Sequence, residues 1–250
     1  MEISELITIL REDYLSDTFE GWEDASDAEK NDQFLWPDKA LFRYITEAQR
    51  QACNRTDFLY KESFSITLVQ GSPSYKINGK ITFIEKVTMD GTTDVTHMSK
   101  AQFQNDFPTW RTDEGMEGQP LKYVMRGHVL RIYPIPDAVD AGKVLSIDAF
   151  HIPLEDITST GDELEIPDEY HRDLIWWVLY EAYSKQDADG YDRDKGLMYL
   201  KQFNQAFGEY IPSEVRLNQL QEDASAHLIP APYDGSNSLN SDNPDAGWYN

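Results

Sequence analysis

The chain has 250 residues, of which 40% are hydrophobic, and its 45 acidic and 22 basic residues give a formal net charge of -23. This excess of acidic residues argues against a surface that binds DNA tightly, because tight phosphate binding requires clustered Lys and Arg. No stretch approaches the roughly 18 to 20 consecutive apolar residues that span a bilayer, and the first residues lack the basic start of a signal peptide, so we expect a cytoplasmic protein without a membrane partner.

Two helices are predicted in the first 60 residues. Residues 2–15 place apolar side chains at helical spacing, at Ile3, Leu6, Ile7, Leu10 and Tyr14. A polar connection follows over residues 16–34, with Phe19 and Trp22 as its expected anchors. A second helix is expected to open at Pro37, since proline suits the first helical turn, and to end between Arg55 and Phe58.

The middle of the chain changes to a period of two residues. Apolar Phe64, Ile66 and Leu68 alternate with Ser and Thr, as in a half-buried strand. Turn sequences with Gly, Asn, Asp and Pro separate further apolar runs. We therefore predict a β-rich region with a short helix at residues 99–107 and, after the first strand, strands at residues 74–77, 81–89, 95–98, 121–125, 129–133 and 143–151.

The pattern returns to helix at Pro167. Residues 174–183 are apolar on nearly every side, which predicts a buried helix. A second amphipathic helix, predicted to pack antiparallel to the first, is marked by apolar spacings of three and four residues at Leu200, Phe203, Phe207 and Tyr210. Beyond Pro212 a polar helical run ends near Glu222, and the composition that follows buries too little apolar surface to fold alone.

Catalytic and cofactor signatures are sparse. The five histidines lie at positions 97, 128, 151, 171 and 227, with no pair at metal-ligand spacing, and no phosphate-binding glycine loop or GxSxG turn is present. Cys53 cannot form an intrachain disulfide because it is the only cysteine. We expect no catalytic residue, no cofactor and no metal site.

One acidic segment, Asp187 to Asp194, looks like part of a calcium loop. Aligning Gly190 with the sixth position of an EF-hand puts Lys185 at the first ligand position and Gly196 at the twelfth, where acids are required. A solvated turn between two helices, with Asp at capping positions, fits the segment better.

Aromatic residues are the better candidates for function. Trp248 and Tyr249 end a polar, proline-containing tail that offers them no local core, which favours docking on another subunit. Tyr233 in the same tail, and Trp176 and Trp177 in the apolar helix, are further candidate interaction residues.

Three segments, taken in order, support a resemblance. The first is Trp36 followed by a Leu-x-x-Tyr-Ile-x-Glu-Ala helix at residues 41–48; the second is Ile-Pro-x-x-Tyr-His at 166–171. The third is the aromatic helix ending in Ala-Tyr-Ser-Lys at 182–185, followed by a helix with Tyr199 and Phe203. Over roughly residues 2–210 the chain resembles the head-to-tail adaptor proteins of tailed bacteriophages.

The resemblance implies a structural virion protein of the neck, made in the host cytoplasm. Such proteins form a homo-oligomeric ring, usually of about twelve copies, with closed symmetry. The ring docks under the portal protein, extends the channel and offers a platform to tail, nozzle or stopper proteins. DNA would pass without specific binding, which suits the acidic composition.

We predict an α+β fold. A discontinuous helical adaptor domain is expected from residues 1–59 and 154–222, with an antiparallel β sandwich or barrel inserted at 60–153 and an extended C-terminal tail at 223–250. Two alternatives are open: an acidic carbohydrate-active hydrolase that uses two carboxylates of the β region, and a monomeric module that binds calcium at Asp187–Asp194.

Overall fold

The structure, a computed structural model, describes residues 1–22, 24–26, 33–108, 116–186 and 190–210. It mixes helices with mainly antiparallel sheets, so the fold class is α+β as predicted. None of the helices in these ranges is both long and apolar enough to cross a membrane.

The N-terminal helix changes its winding midway. Helix α1 spans Ile3–Ile9 and continues as a π-helix over Leu10–Leu15, which ends where Ser16 adopts a left-handed conformation. The sequence predicts one helix over this stretch, but the wider turn was not anticipated. Helix α2 spans Asp38–Arg55, directly after Pro37, and confirms the second predicted helix.

Eight strands are described, and most lie within two residues of their predicted positions. In chain order they are β1 (Tyr60–Thr67), β2 (Ser74–Lys76), β3 (Ile81–Met89), β4 (Thr93–Asp94), β5 (Thr96–His97), β6 (Lys122–Arg126), β7 (Val129–Tyr133) and β8 (Val144–His151). The predicted strand at 95–98 is shorter than expected. Among the pairs of described strands, β5 with β6 is parallel and the others are antiparallel.

The strands form two sheets around a shared core. One sheet has the order β1-β8-β3-β4 and the other β2-β7-β6-β5. Strand β8 alternates strictly, so Leu145, Ile147 and Ala149 are buried while the residues between them face outward. Those three side chains belong to a hydrophobic cluster that also contains Leu130 and Ile132 of the second sheet.

Helix α3 (Lys100–Asp106) covers the outer face of the second sheet. Ser99 caps it through a reciprocal capping box with Gln102. Phe103 packs with Val124 and Tyr133, whose side chains point away from the core between the sheets. Both faces of this sheet are therefore in contact with apolar side chains.

The C-terminal helices build a second, larger core. A 3₁₀ turn at Asp168–Asp173 leads into α4 (Leu174–Ser184), which is followed by α5 (Arg193–Phe207). The ring pairs Tyr183 with Tyr199 and Trp177 with Phe203 run in opposite chain directions, so α4 and α5 are antiparallel as predicted. This core also takes in the buried faces of α1 and α2.

The β region leaves and rejoins the helical part at neighbouring positions. The His151 amide donates to the Leu59 carbonyl at 2.9 Å, and the Ile152 amide donates to the Lys80 carbonyl at the same distance. Tyr60, the first residue of β1, lies directly opposite Phe150 near the end of β8.

Candidate interaction surfaces

A buried ionic cluster holds the segment between the first two helices. The fully buried Arg11 guanidinium binds Asp17 at 2.8 Å, donates to the Trp36 carbonyl at 2.9 Å, and lies 3.4 Å from the centre of the Phe34 ring. The Asp17 carboxylate accepts from the backbone amides of Leu35 and Trp36. Because both terminal nitrogens of Arg11 bind carboxylates or a carbonyl of the same chain, this cluster positions the connection.

The two tryptophans predicted as interaction residues lie in the helical core. Trp177 is 8% exposed, and the centre of its ring lies 5.1 Å from that of Phe203. Trp176 is half-buried, stacks on the Tyr199 ring and donates its indole N–H to the Asp173 carboxylate at 3.3 Å. Both side chains contribute to packing within the chain, and their role towards a partner stays a prediction.

The remaining predicted positions are not all described. Tyr233, Trp248 and Tyr249 lie outside the described residues, as do Asp187–Asp189 of the calcium-like segment. Within that segment, Asp192 caps α5 by accepting from the Lys195 amide at 3.0 Å, which is the capping role that the sequence favoured.

His171 and His97 contact other residues of the fold, and the cysteine is buried. His171 is buried with its Nε2 2.7 Å from the Ile166 carbonyl, and burial lowers the pKa of His97 beside Tyr123. Burial also raises the pKa of the Cys53 thiol to about 12. In the described part of the chain, no group of three His, Cys, Asp or Glu side chains is placed to hold a metal ion.

One apolar surface lies on the outer face of α5, which we define as Leu197 and Met198. They are 49% and 47% exposed, on the side of the helix opposite the buried Tyr199 and Phe203. Helical side chains of this size are more often buried than exposed. This pair is therefore a candidate contact for another protein surface.

A second surface crosses the first sheet, and we call it the aromatic row: Tyr60, Phe150 and Phe83. Phe150 lies directly opposite Tyr60 on one side and Phe83 on the other, with ring centres 5.1 and 6.3 Å away. Tyr60 is 42% exposed, and the other two rings are half-buried. None of the three belongs to a hydrophobic cluster formed by the described residues.

Three carboxylates lie near Tyr60, at one end of this row. A hydrogen bond to Glu85, with further repulsion from Asp148 and Glu62, raises the pKa of the Tyr60 hydroxyl to about 12. We call these three carboxylates the acidic rim. Neither the aromatic row nor the acidic rim was identified from the sequence. The alternation of β8 was a usable signal, because Phe150 lies between the buried residues Ala149 and His151 and must therefore face outward.

Comparison with known proteins identifies a protein family. A family model described as SU10 adaptor protein matches residues 1–230. No curated protein matches the chain.

Proposed function

Because this chain belongs to the SU10 adaptor protein family, a family of phage head-to-tail adaptors, we propose that it forms a ring under the portal. In this proposal the ring extends the DNA channel and docks tail, nozzle or stopper proteins. The observation that supports it most directly is the length of the match, which takes in every described helix and strand.

The family also bears on the alternatives. Its members are structural, non-enzymatic proteins of the virion, which disfavours the acidic carbohydrate-active hydrolase. The calcium-binding module is disfavoured by the capping role of Asp192 and by the poor fit of the segment to an EF-hand.

We assign separate roles to the parts of the chain. The helical part, residues 1–59 and 154–222, forms a bundle in the ring wall, and the β region at 60–153 projects outward as a sandwich or barrel. Separate hydrophobic clusters in the helices and between the sheets support this division. The tail at 223–250, with Tyr233, Trp248 and Tyr249, docks on the portal or a neighbouring subunit.

The outer face of α5 is the contact that we assign to ring formation. Two adjacent large apolar side chains at about half exposure lose water-accessible area when a neighbouring subunit covers them, which stabilises association by about 25 cal/mol per Å² buried. The net charge of -23 opposes assembly at low ionic strength, so we expect ring formation to be favoured by salt.

The same charge suits a channel. Because the chain has about twice as many acidic as basic residues, its surface repels the DNA backbone and offers few cations for phosphate binding. We propose that DNA passes through the ring without specific binding.

The test is the mass of the protein by light scattering on a sizing column, alone and with its cognate portal. The proposal expects a closed assembly of about twelve times the 28.8 kDa chain mass, formed alone or on the portal. The double variant Leu197→Glu with Met198→Glu should lower that mass.

The matched control places the same two charges on exposed apolar residues of the β region, Val69→Glu with Val139→Glu. This control should assemble like the natural chain. A strict monomer that ignores the portal would overturn the proposed function, and equal loss of assembly in both variants would overturn the assignment of the α5 face.

A further inference from the structure

The two sheets differ in what covers their outer faces. On the second sheet, Tyr133 packs against Phe103 and Phe107, at ring distances of 5.7 and 4.4 Å. On the first sheet, the aromatic row has no equivalent helix over it in the described ranges, and the Phe150 ring contacts the rings on both sides of it. Three aromatic rings aligned on an open sheet face form a contiguous apolar patch, which is typical of a binding surface.

The charge around the row is mainly negative. Glu62, Glu85 and Asp148 lie close enough to Tyr60 to act on its hydroxyl. Of the nearby cations, Lys86 is paired with Asp94 at 3.1 Å, and Lys61 lies 5.1 Å from the Phe64 ring, on the face of the sheet that packs on the core. The row is thus an aromatic surface with excess negative charge.

We propose that the aromatic row binds an arginine- or lysine-bearing segment of a partner protein. The cationic side chains would lie over the rings of Tyr60, Phe150 and Phe83 and pair with the carboxylates of the acidic rim. The face of an aromatic ring and a neighbouring carboxylate both attract a cationic side chain. The surface therefore selects positively charged segments and not apolar ones alone. The proposal rests on the proposed function only in taking the partner to be another virion protein.

Three other occupants fit less well. Nucleic acid is repelled by the rim, and a second copy of this chain has a net charge of -23 itself. Addition of a partner strand to the edge of β1 is hindered because the strand is bulged between Lys61 and Phe64, where Ser63 has a φ of 61°. The face of the sheet, rather than its edge, is therefore the binding surface.

The experiment uses the full chain and a fluorescent eight-residue peptide that alternates arginine and leucine, with binding followed by anisotropy at physiological ionic strength. A peptide that alternates glutamate and leucine is the matched probe. We expect the arginine peptide to bind and the glutamate peptide not to bind.

Two protein variants localise the site. Phe83→Thr with Phe150→Thr keeps strand-compatible residues and should weaken peptide binding about tenfold, from loss of two cation–π contacts. Glu62→Gln with Glu85→Gln should weaken it about fivefold through loss of rim charge. The charge-matched control is Glu12→Gln with Glu163→Gln, two exposed acids outside the β region, and should bind like the natural chain.

The outcomes separate this proposal from the ring. Equal weakening by both glutamine variants means that the peptide senses only net charge, and equal binding of the two peptides means an apolar surface without charge selection; either result overturns the proposal. A threonine variant that assembles to a lower mass yet binds peptide normally marks the row as a contact between copies and also overturns it. Peptide binding is measured whether or not a ring forms. A negative peptide result therefore does not bear on ring formation, which light scattering tests separately.

Discussion

Arg11 and Asp17 form an ion pair of 2.8 Å in which the arginine side chain is fully buried and the aspartate side chain is 8% exposed. The pair joins the end of the π-helix to the start of α2, because Arg11 also binds Asp38 at 2.5 Å and Asp17 accepts from the Trp36 amide. The polar connection at residues 16–34 is thus held near both of its ends by one buried cation.

Replacing Arg11 by methionine should destabilise the fold strongly. The change keeps the apolar stem but leaves the Asp17 carboxylate buried without its cation, and loss of one partner of a buried pair costs about 3 kcal/mol. Urea unfolding followed by circular dichroism measures the free energy. Arg50→Met is the control, since its pair with Asp156 is exposed, and it should cost less than about 1 kcal/mol. Equal effects of the two changes would contradict the assigned role of Arg11.

Gly190→Ala should also destabilise the chain. A Cβ at this position would lie 2.8 Å from the Trp36 ring, closer than van der Waals contact allows, so the ring must shift at a cost of about 1 to 3 kcal/mol. Thermal unfolding gives the measurement. Gly79→Ala is the matched control because its Cβ would meet no atom within 4 Å, and its melting temperature should stay close to that of the natural chain.

The Cys53 thiol should be unreactive in the folded protein. Burial, with smaller contributions from the charges of Glu165 and Asp57, raises its pKa from 9.0 to about 12, so almost none of it is thiolate at pH 8. The raised pKa contributes stability below pH 9, and that contribution is lost as the pH rises towards 12. Labelling with a chromogenic disulfide reagent at pH 8 should require unfolding by urea; rapid labelling of the native protein would contradict the burial of this residue.

Removal of residues 228–250 should abolish binding to the portal while leaving the helix content unchanged. This expectation follows from the aromatic pair Trp248 and Tyr249 at the end of a polar segment. Co-sedimentation with the portal measures binding, and circular dichroism checks the fold. The full-length variant Trp248→Ala with Tyr249→Ala should reproduce most of the loss, and unchanged portal binding of the truncated chain would exclude a docking role for the tail.

The helices and most strands could be predicted because their apolar residues follow one period over long stretches. Helix α4 is apolar on nearly every side, which predicts that it is buried. Helix α5 is apolar on one side, which predicts that this side packs against α4. The bounds of strand β8 are predicted within one residue because its buried and outward-facing residues alternate strictly. These signals are local and do not depend on the rest of the fold.

The buried cation and the aromatic row could not be predicted in the same way. Arg11 is followed by Glu12 and Asp13, and a charged run of this kind is typical of a solvent-exposed surface; its burial follows from the π-helical turn and from partners 6 to 27 residues away. In the row, irregular register between Ile81 and Phe83 decides which face Phe83 occupies. Since a shift of one residue reverses the face of every side chain, alternation alone does not fix the face of a bulged strand.

The neighbouring positions at which the β region leaves and rejoins the helices bear on how the chain can be engineered. The chain departs at Leu59 and returns at His151 through a direct backbone hydrogen bond, and paired residues such as Tyr60 and Phe150 place their Cα atoms only about 5 Å apart. Attachment points this close together suit a folded insert whose own ends also lie close together. A foreign domain with adjacent ends, grafted between residues 59 and 151, is the engineering change that this geometry suggests.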